Sequence, residues 1–293
     1  MSQVVNIAAL TLKEASRRKL LLALLVLTAL VIGATVWGFS RLPGIVLSEG
    51  PGLPRHPISS AEVRLATSQL LILVMFTYSF VLALSAALTA APAISSELES
   101  GVALAILTRP ISRLQVLLGK WVGLAVLIVV YVGFASLSEF LLVDFVTGYF
   151  PPDPLGFIAY MAAETLVLMT LALLLSTRLP AMTGGVIVLG AFGVSWMGGI
   201  ASAAGNALQN QAIINAGTLV KLLIPSDGLW HGAVFSLEPR AVLAAVAGEG
   251  RAAVATNPFF STSPPPASFL LWSAAWTAVI LLLSTLSFQR REV

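Results

Sequence analysis

Six apolar runs, each near the roughly 20 residues that a helix needs to cross a hydrocarbon layer, decide what this chain is able to fold into. They cover residues 20–39, 65–91, 114–146, 157–175, 182–201 and 268–288. Backbone amides in lipid find no water to bond, so runs of this kind cross as helices. Charge content agrees: 10% of the 293 residues are charged, against about 25% in ordinary soluble domains. The expected fold is an all-α integral membrane protein with six transmembrane helices, one domain over residues 1–293.

Residues 1–19 read as an amphipathic interfacial helix. Val5, Ala8, Ala9, Leu12 and Ala15 recur at helical spacing, opposite Asn6, Lys13, Arg17 and Arg18. A basic face suits an anionic membrane surface, and Glu14 with Arg18 adds an i,i+4 pair worth a few tenths of a kcal/mol. Basic residues before an apolar run also suggest a signal peptide. The run is too long for that and no small-residue cleavage pattern follows, so a retained first span is expected.

Between the runs the chain changes character. Residues 41–64 hold four prolines and three glycines and read as a polar connector, an ordered or partly extended loop on the far side. Pro151, Pro152 and Pro154 mark a tight turn, and 176–180 a short return. The fifth run is rich in glycine, and Ala191, Ser195 and Gly199 make a small-residue face for close helix approach, within the chain or between copies. Residues 202–267 are expected to form an extracytoplasmic loop region, with an amphipathic piece at 213–224 followed by Pro225-Ser-Asp-Gly-Leu-Trp-His-Gly.

The densest charged segment between two spans is 95–120. Ser96 with Glu99 has the spacing of a capping box, and Leu98, Val102, Ala105 and Ile106 then form one apolar stripe. Pro110 ends that helix, and Ser112 with Gln115 repeats the cap for the next. Lys120 is expected to snorkel and Trp121 to lie at the membrane interface.

The pattern Glu-x-Glu-x-Gly from Glu97 to Gly101, an apolar run, Arg-Pro-x-Ser-Arg from Arg109 to Arg113, and Leu-Leu-Gly-Lys ending at Lys120 resembles the first cytoplasmic loop of ABC type-2 permeases. These are the membrane-spanning subunits of ATP-binding-cassette exporters. Ser100 and Val102 depart from the family pattern, which usually has a charged residue and a threonine there. Weaker similarity extends over 1–40, 176–182, 222–232 and 288–293; similar permeases often carry the segment at 222–232 as far-side or re-entrant helices, and the basic leader is similar to permeases associated with multicopper-enzyme and nitrous-oxide-reductase maturation.

The resemblance implies that 93–113 is a cytoplasmic coupling loop whose helix docks on an ATPase. Glu97, Glu99, Gly101, Val102, Ile106, Arg109 and Arg113 are the residues it would use. It further implies two copies of that ATPase and a second permease copy, in a homodimer or heterodimer, with the first and fifth spans often lining the contact. The cargo would be an amphipathic or hydrophobic compound, moved across a prokaryotic cytoplasmic membrane, and no nucleic acid is involved.

Charge placement sets the expected orientation. With six spans, both termini, the 92–120 segment and the 176–180 turn share one side, which holds ten of the sixteen basic residues. The positive-inside rule places that side in the cytoplasm.

Several chemistries are excluded. The chain has no cysteine, hence no disulfide, thiolate metal site or catalytic thiol. It has two histidines, His56 and His231, and no His-Glu-x-x-His, nucleophile elbow or phosphate-binding Gly-x-x-x-x-Gly-Lys-Ser/Thr loop. No cofactor of its own is expected, and ATP would have to be bound by a partner subunit. Two carboxylates, Glu139 and Glu164, fall inside predicted spans, where ionisable groups are costly and point to substrate contact or gating. A competing class is a membrane-embedded enzyme or assembly factor using these two as an acid–base pair.

Overall fold

The computed structural model describes residues 2–16, 19–44, 46–48, 55–99, 112–246, 257 and 259–291. In chain order the helices are α1 (Ser2–Ser16), α2 (Lys19–Phe39), α3 (Ser60–Ala90), α4 (Pro92–Glu99), α5 (Arg113–Thr147), α6 (Pro154–Ser176), α7 (Ala181–Ala207), α8 (Gln211–Leu223), α9 (Ser226–Leu237), α10 (Arg240–Val246) and α11 (Ala267–Gln289). A short antiparallel ribbon pairs β1 (Val46–Ser48) with β2 (Arg55–Pro57) in the connector after the first span. Among the described residues six helices are long and apolar enough to cross a membrane: α2, α3 with α4, α5, α6, α7 and α11. The protein is a multi-pass membrane protein, with α3 and α6 the most enclosed and α2 and α11 the most peripheral.

Helix ends follow local chemistry. The second span starts at Ser60, five residues before the apolar run, because Ser59 and Glu62 form a reciprocal cap: Glu62 N–H donates to Ser59 Oγ at 3.3 Å, and Ser59 N–H to Glu62 Oε2 at 2.8 Å. The cap expected at Ser112 and Gln115 opens α5, and Gly148 closes that helix in the left-handed conformation at φ 67°. Asp153 caps α6 ahead of Pro154, which needs no N–H at the first helical position.

Two expectations are corrected in the first half of the chain. The segment after Pro92 is helical from Pro92 itself, so Ser96 sits on its second turn and its hydroxyl donates back to Pro92 O at 2.5 Å. No capping box forms at Ser96–Glu99. Lys120 does not snorkel: it is buried, and its ammonium contacts Glu97 Oε1 at 2.5 Å. Trp121 Nε1–H donates to Thr170 Oγ1 at 2.9 Å, tying α5 to α6.

The amino-terminal helix forms, but its inner face is rotated from the expected stripe. α1 lies against α5, where a Cβ on Gly119 would meet Ile7 at 2.6 Å and one on Gly123 would meet Ala8 O at 2.6 Å. Thr11 and Ala15 are buried and Ile7 packs on the core, while Val5 and Leu10 are exposed. In an apolar surround hydrophobicity no longer reports the protein-facing side; small residues on the partner do. The Glu14–Arg18 pair falls outside the described residues.

Within 202–267 the segment around 222–232 takes the re-entrant of the two forms that the resemblance implies. The fifth span continues as α7 to Ala207, and α8 then returns along it. Gly198, Gly205 and Gly217 let the two backbones approach: a Cβ on Gly198 would meet Val220 at 2.6 Å and one on Gly205 would meet Ile214 at 2.8 Å. The axis bends by 94° between α8 and α9. α9 then packs on α6, with Gly232 against the Tyr160 ring. At its far end Asp153 N–H donates to Ser236 O at 3.2 Å, and the Tyr149 hydroxyl donates to Leu237 O at 2.5 Å. α8 thus starts, and α9 finishes, at the end of the bundle where α7 ends and α6 begins. The pair is a re-entrant hairpin, not a seventh span or a loop outside the bundle.

Candidate functional site

The tip of that hairpin reaches Ser195 and Gly199, near the middle of α7. Ser195 Oγ–H donates to Ile224 O at 2.7 Å and accepts from Asp227 N–H at 3.1 Å, holding the bend from both sides. Gly199 faces the Asp227 carboxylate, and any Cβ there would strike it. Ser195 and Gly199 of the expected small-residue face therefore serve packing within the chain. On the other side, Trp272 and Trp276 of α11 donate their indole N–H groups to Leu222 O at 3.0 Å and Leu223 O at 2.9 Å. These are carbonyls of the last turn of α8, which lack helical partners of their own. Phe76 of α3 anchors the hairpin within an aromatic group, its ring centroid 5.1 Å from Trp196 and 5.6 Å from Trp230.

Asp227 is the charged centre of this arrangement. Its side chain is 2% exposed, with Oδ2 at 3.8 Å from Lys221 Nζ and 3.6 Å from His231 Nε2. Lys221 and His231 are each about one-quarter exposed and flank the carboxylate. A buried carboxylate beside a cation and an imidazole is a group able to hold or exchange a proton or meet a cationic group. Asp227 lies within the Pro225-to-Gly232 segment and is not among the site residues expected from sequence. The i,i+4 spacing of Asp227 and His231 was visible there; the matching small face on α7 was the other half of the signal.

Glu164 of α6 lies next to this cluster. It is 2% exposed, accepts from Ser79 Oγ–H at 3.0 Å, and its Oε2 has no hydrogen-bond partner among the described residues. Glu139 of α5 is equally buried but opens elsewhere, onto a water-sized cavity of about 10 Å³ shared with Thr28, Met75 and Tyr78. Tyr78 and Ser79 are successive residues of α3, so they point about 100° apart around that helix. The two carboxylates sit at similar depth, as the antiparallel spans require, but on different faces of α3. That separation does not suit a shared acid–base step.

At the termini end, Glu97 and Lys120 join α4 to α5 across the segment 100–111. Arg113 does not project freely: its Nη1 donates to Phe288 O at 2.9 Å, Gln289 O at 3.2 Å and Arg291 O at 2.6 Å. Glu99 is exposed at the end of α4. Gly101, Val102, Ile106 and Arg109 of the expected coupling set lie outside the described residues.

At the opposite end, Glu238 follows α9 and is buried, accepting from Gln69 Nε2–H at 3.1 Å. Burial pushes its carboxyl up to about 7, the Gln69 hydrogen bond opposing the shift. The neighbouring Tyr149 hydroxyl is driven well above its ordinary range by burial and by the Glu238 charge.

Comparison with known proteins agrees with this architecture. The family model for the ABC-2 family transporter protein matches residues 5–293. Over 149 residues the chain is 34% identical to the "Probable ABC transporter permease protein NosY" of Stutzerimonas stutzeri, covering 49% of this chain and 48% of that protein. The similarity to that relative thus spans about half its length. With the family matched along nearly its whole length and six helices able to cross the membrane, the chain belongs to the ABC-2 family of transporter proteins, as a multi-pass membrane protein.

Proposed function

We propose that this permease moves an amphipathic or hydrophobic compound across a prokaryotic cytoplasmic membrane, driven by a separate ATPase subunit present in two copies and working beside a second permease copy. Both termini are cytoplasmic, and α1 lies at that membrane surface. The coupling element is the 93–113 region, using Glu97, Glu99, Gly101, Val102, Ile106, Arg109 and Arg113.

One observation carries the reading. The helices on either side of residues 100–111 are held in place, α4 by the Glu97–Lys120 pair and the start of α5 by the Arg113 contacts to the end of α11. A lever that transmits motion from a docked ATPase needs ends that do not yield independently. Through Lys120 and Arg113, a push on this segment reaches α5 and α11 together. Arg113 acts in this scheme by fixing the lever. Gating falls to the re-entrant hairpin, with Glu164 beside Asp227 as the group that meets a polar or cationic part of the cargo and Glu139 as a second intramembrane carboxylate.

Co-expression with an ABC ATPase encoded beside this chain, followed by purification through a tag on the permease, tests the proposal. A stable complex whose ATP hydrolysis is altered by the permease is expected. An ATPase that neither co-purifies nor changes its rate contradicts it.

A further inference from the structure

We propose that the lateral groove between α5, α6, α9 and α11, together with Arg113, Arg178 and Arg291 at its termini end, holds one anionic phospholipid from the surrounding membrane. The groove has a volume of about 460 Å³ and is walled by Trp121, Ala163, Leu166, Leu229 and the α11 residues between Leu270 and Leu281, with no charged side chain. On α11 the wall is cut by small residues, Ser273, Ala274, Thr277 and Ala278. Eleven residues separate Leu270 from Leu281, a length of about 16 Å at the helical rise.

Length and lining choose the occupant: an open apolar strip about 16 Å long, ending short of a group of arginines, matches an acyl chain whose headgroup meets those arginines.

Charge marks where the headgroup sits. Leu281 and Phe288 are seven residues apart on one face of α11, about 10 Å along its axis. Around Phe288 three guanidinium groups converge. Arg113 lies 5.7 Å from the Phe288 ring centroid and donates to the last carbonyls of the helix. Arg178 donates through Nε to Ser287 Oγ at 3.0 Å and through Nη2 to Ser287 O at 3.1 Å. Arg291 donates to Thr177 O. None of the three meets a carboxylate among the described residues, and each keeps further N–H groups beyond those it uses. Backbone carbonyls fix the three charges in place and leave donors for phosphate oxygens, which guanidinium groups bind in paired fashion. An anionic headgroup there, with its chain running along α11 into the groove, satisfies the charge and the apolar walls at once.

The test uses the full-length protein reconstituted with mixed phosphatidylglycerol and phosphatidylcholine, with retained lipid counted by native mass spectrometry. At least tenfold preferential retention of one phosphatidylglycerol is expected. Arg178→Gln with Arg291→Gln should abolish that preference, while Arg178→Lys with Arg291→Lys keeps most of it. Ala274→Phe with Ala278→Phe, which leaves every arginine in place, should lower retention at least tenfold. Equal retention of the two lipids overturns the proposal, as does full retention after the groove is filled. Release of a bound ATPase by the glutamine variant, with phosphatidylglycerol retention unchanged, also overturns it and assigns the arginines to an acidic protein surface.

Discussion

The Glu97–Lys120 pair permits a prediction with a worked magnitude. Its atoms are 2.5 Å apart, and the side chains are 6% exposed for Lys120 and 20% for Glu97. Breaking a fully buried pair by removing one partner costs about 3–5 kcal/mol, whereas an exposed pair is worth about 0.2–1 kcal/mol. Glu97 reaches solvent in part, so the coupling lies between these limits, at about 2 kcal/mol. The two single changes are unequal. Glu97→Gln leaves the more deeply buried ammonium facing a neutral amide and should cost about 2–4 kcal/mol, while Lys120→Met leaves a carboxylate with some access to water and should cost about 1–2 kcal/mol. The double variant should recover part of the loss. Equilibrium unfolding of the four proteins in mixed micelles measures the cycle. Single effects that add to within about 0.5 kcal/mol, or Lys120→Met as the more damaging change, would refute the reasoning.

Glu139→Gln and Glu164→Gln should both insert and assemble, with transport lowered at least tenfold by the Glu164 change; unchanged transport in both makes the carboxylates structural. Glu238 gives a pH signature. Its folded carboxyl is raised from 4.5 to about 7, so the stability it contributes is complete below about pH 4.5 and is lost as pH rises through 7. Thermal unfolding of Glu238→Gln between pH 5 and 8 should be flatter than that of the parent, and parallel profiles contradict the assignment. Topology is open to single cysteines, since the chain has none. With an impermeant thiol reagent on intact cells, Gln211→Cys and Ser261→Cys should react and Ser16→Cys should not; the reverse pattern inverts the orientation.

The spans were legible because a bilayer sets a length and the apolar runs match it. Caps are legible where sequence alone completes them: Ser112 with Gln115 stands out between two apolar runs, while Ser59 with Glu62 obeys the same rule inside a proline-rich connector that masks it. What could not be read depends on two segments at once. The inner face of α1 is set by Gly119 and Gly123, over a hundred residues away, and by an outer medium that accepts Val5 and Leu10 as readily as the core does. Residues 211–237 mix polar and apolar side chains like a surface segment, and enter the bundle only because Gly198, Gly199 and Gly205 leave room for them. The burial of Asp227 follows from that fit, so no local pattern announced it. Glu139 and Glu164 were visible as ionisable residues within spans, but the face of α3 that each adjoins is a property of the packed bundle.

The central claim is that 93–113 couples this permease to an ATPase, and Val102→Asp with Ile106→Asp tests it most directly. Burying each of these side chains against a partner contributes about 1.5–3 kcal/mol, and a buried unpaired charge adds several more against the change. A micromolar-to-nanomolar contact is only about 8–12 kcal/mol deep. Aspartates at Ile58 and Ser59, at the opposite end of the bundle, serve as the control. The measurement is the amount of ATPase that co-purifies with each variant after membrane insertion is verified. The account predicts loss of the ATPase from the Val102/Ile106 variant and full retention by the control. Retention by the Val102/Ile106 variant, or equal loss from both, contradicts it.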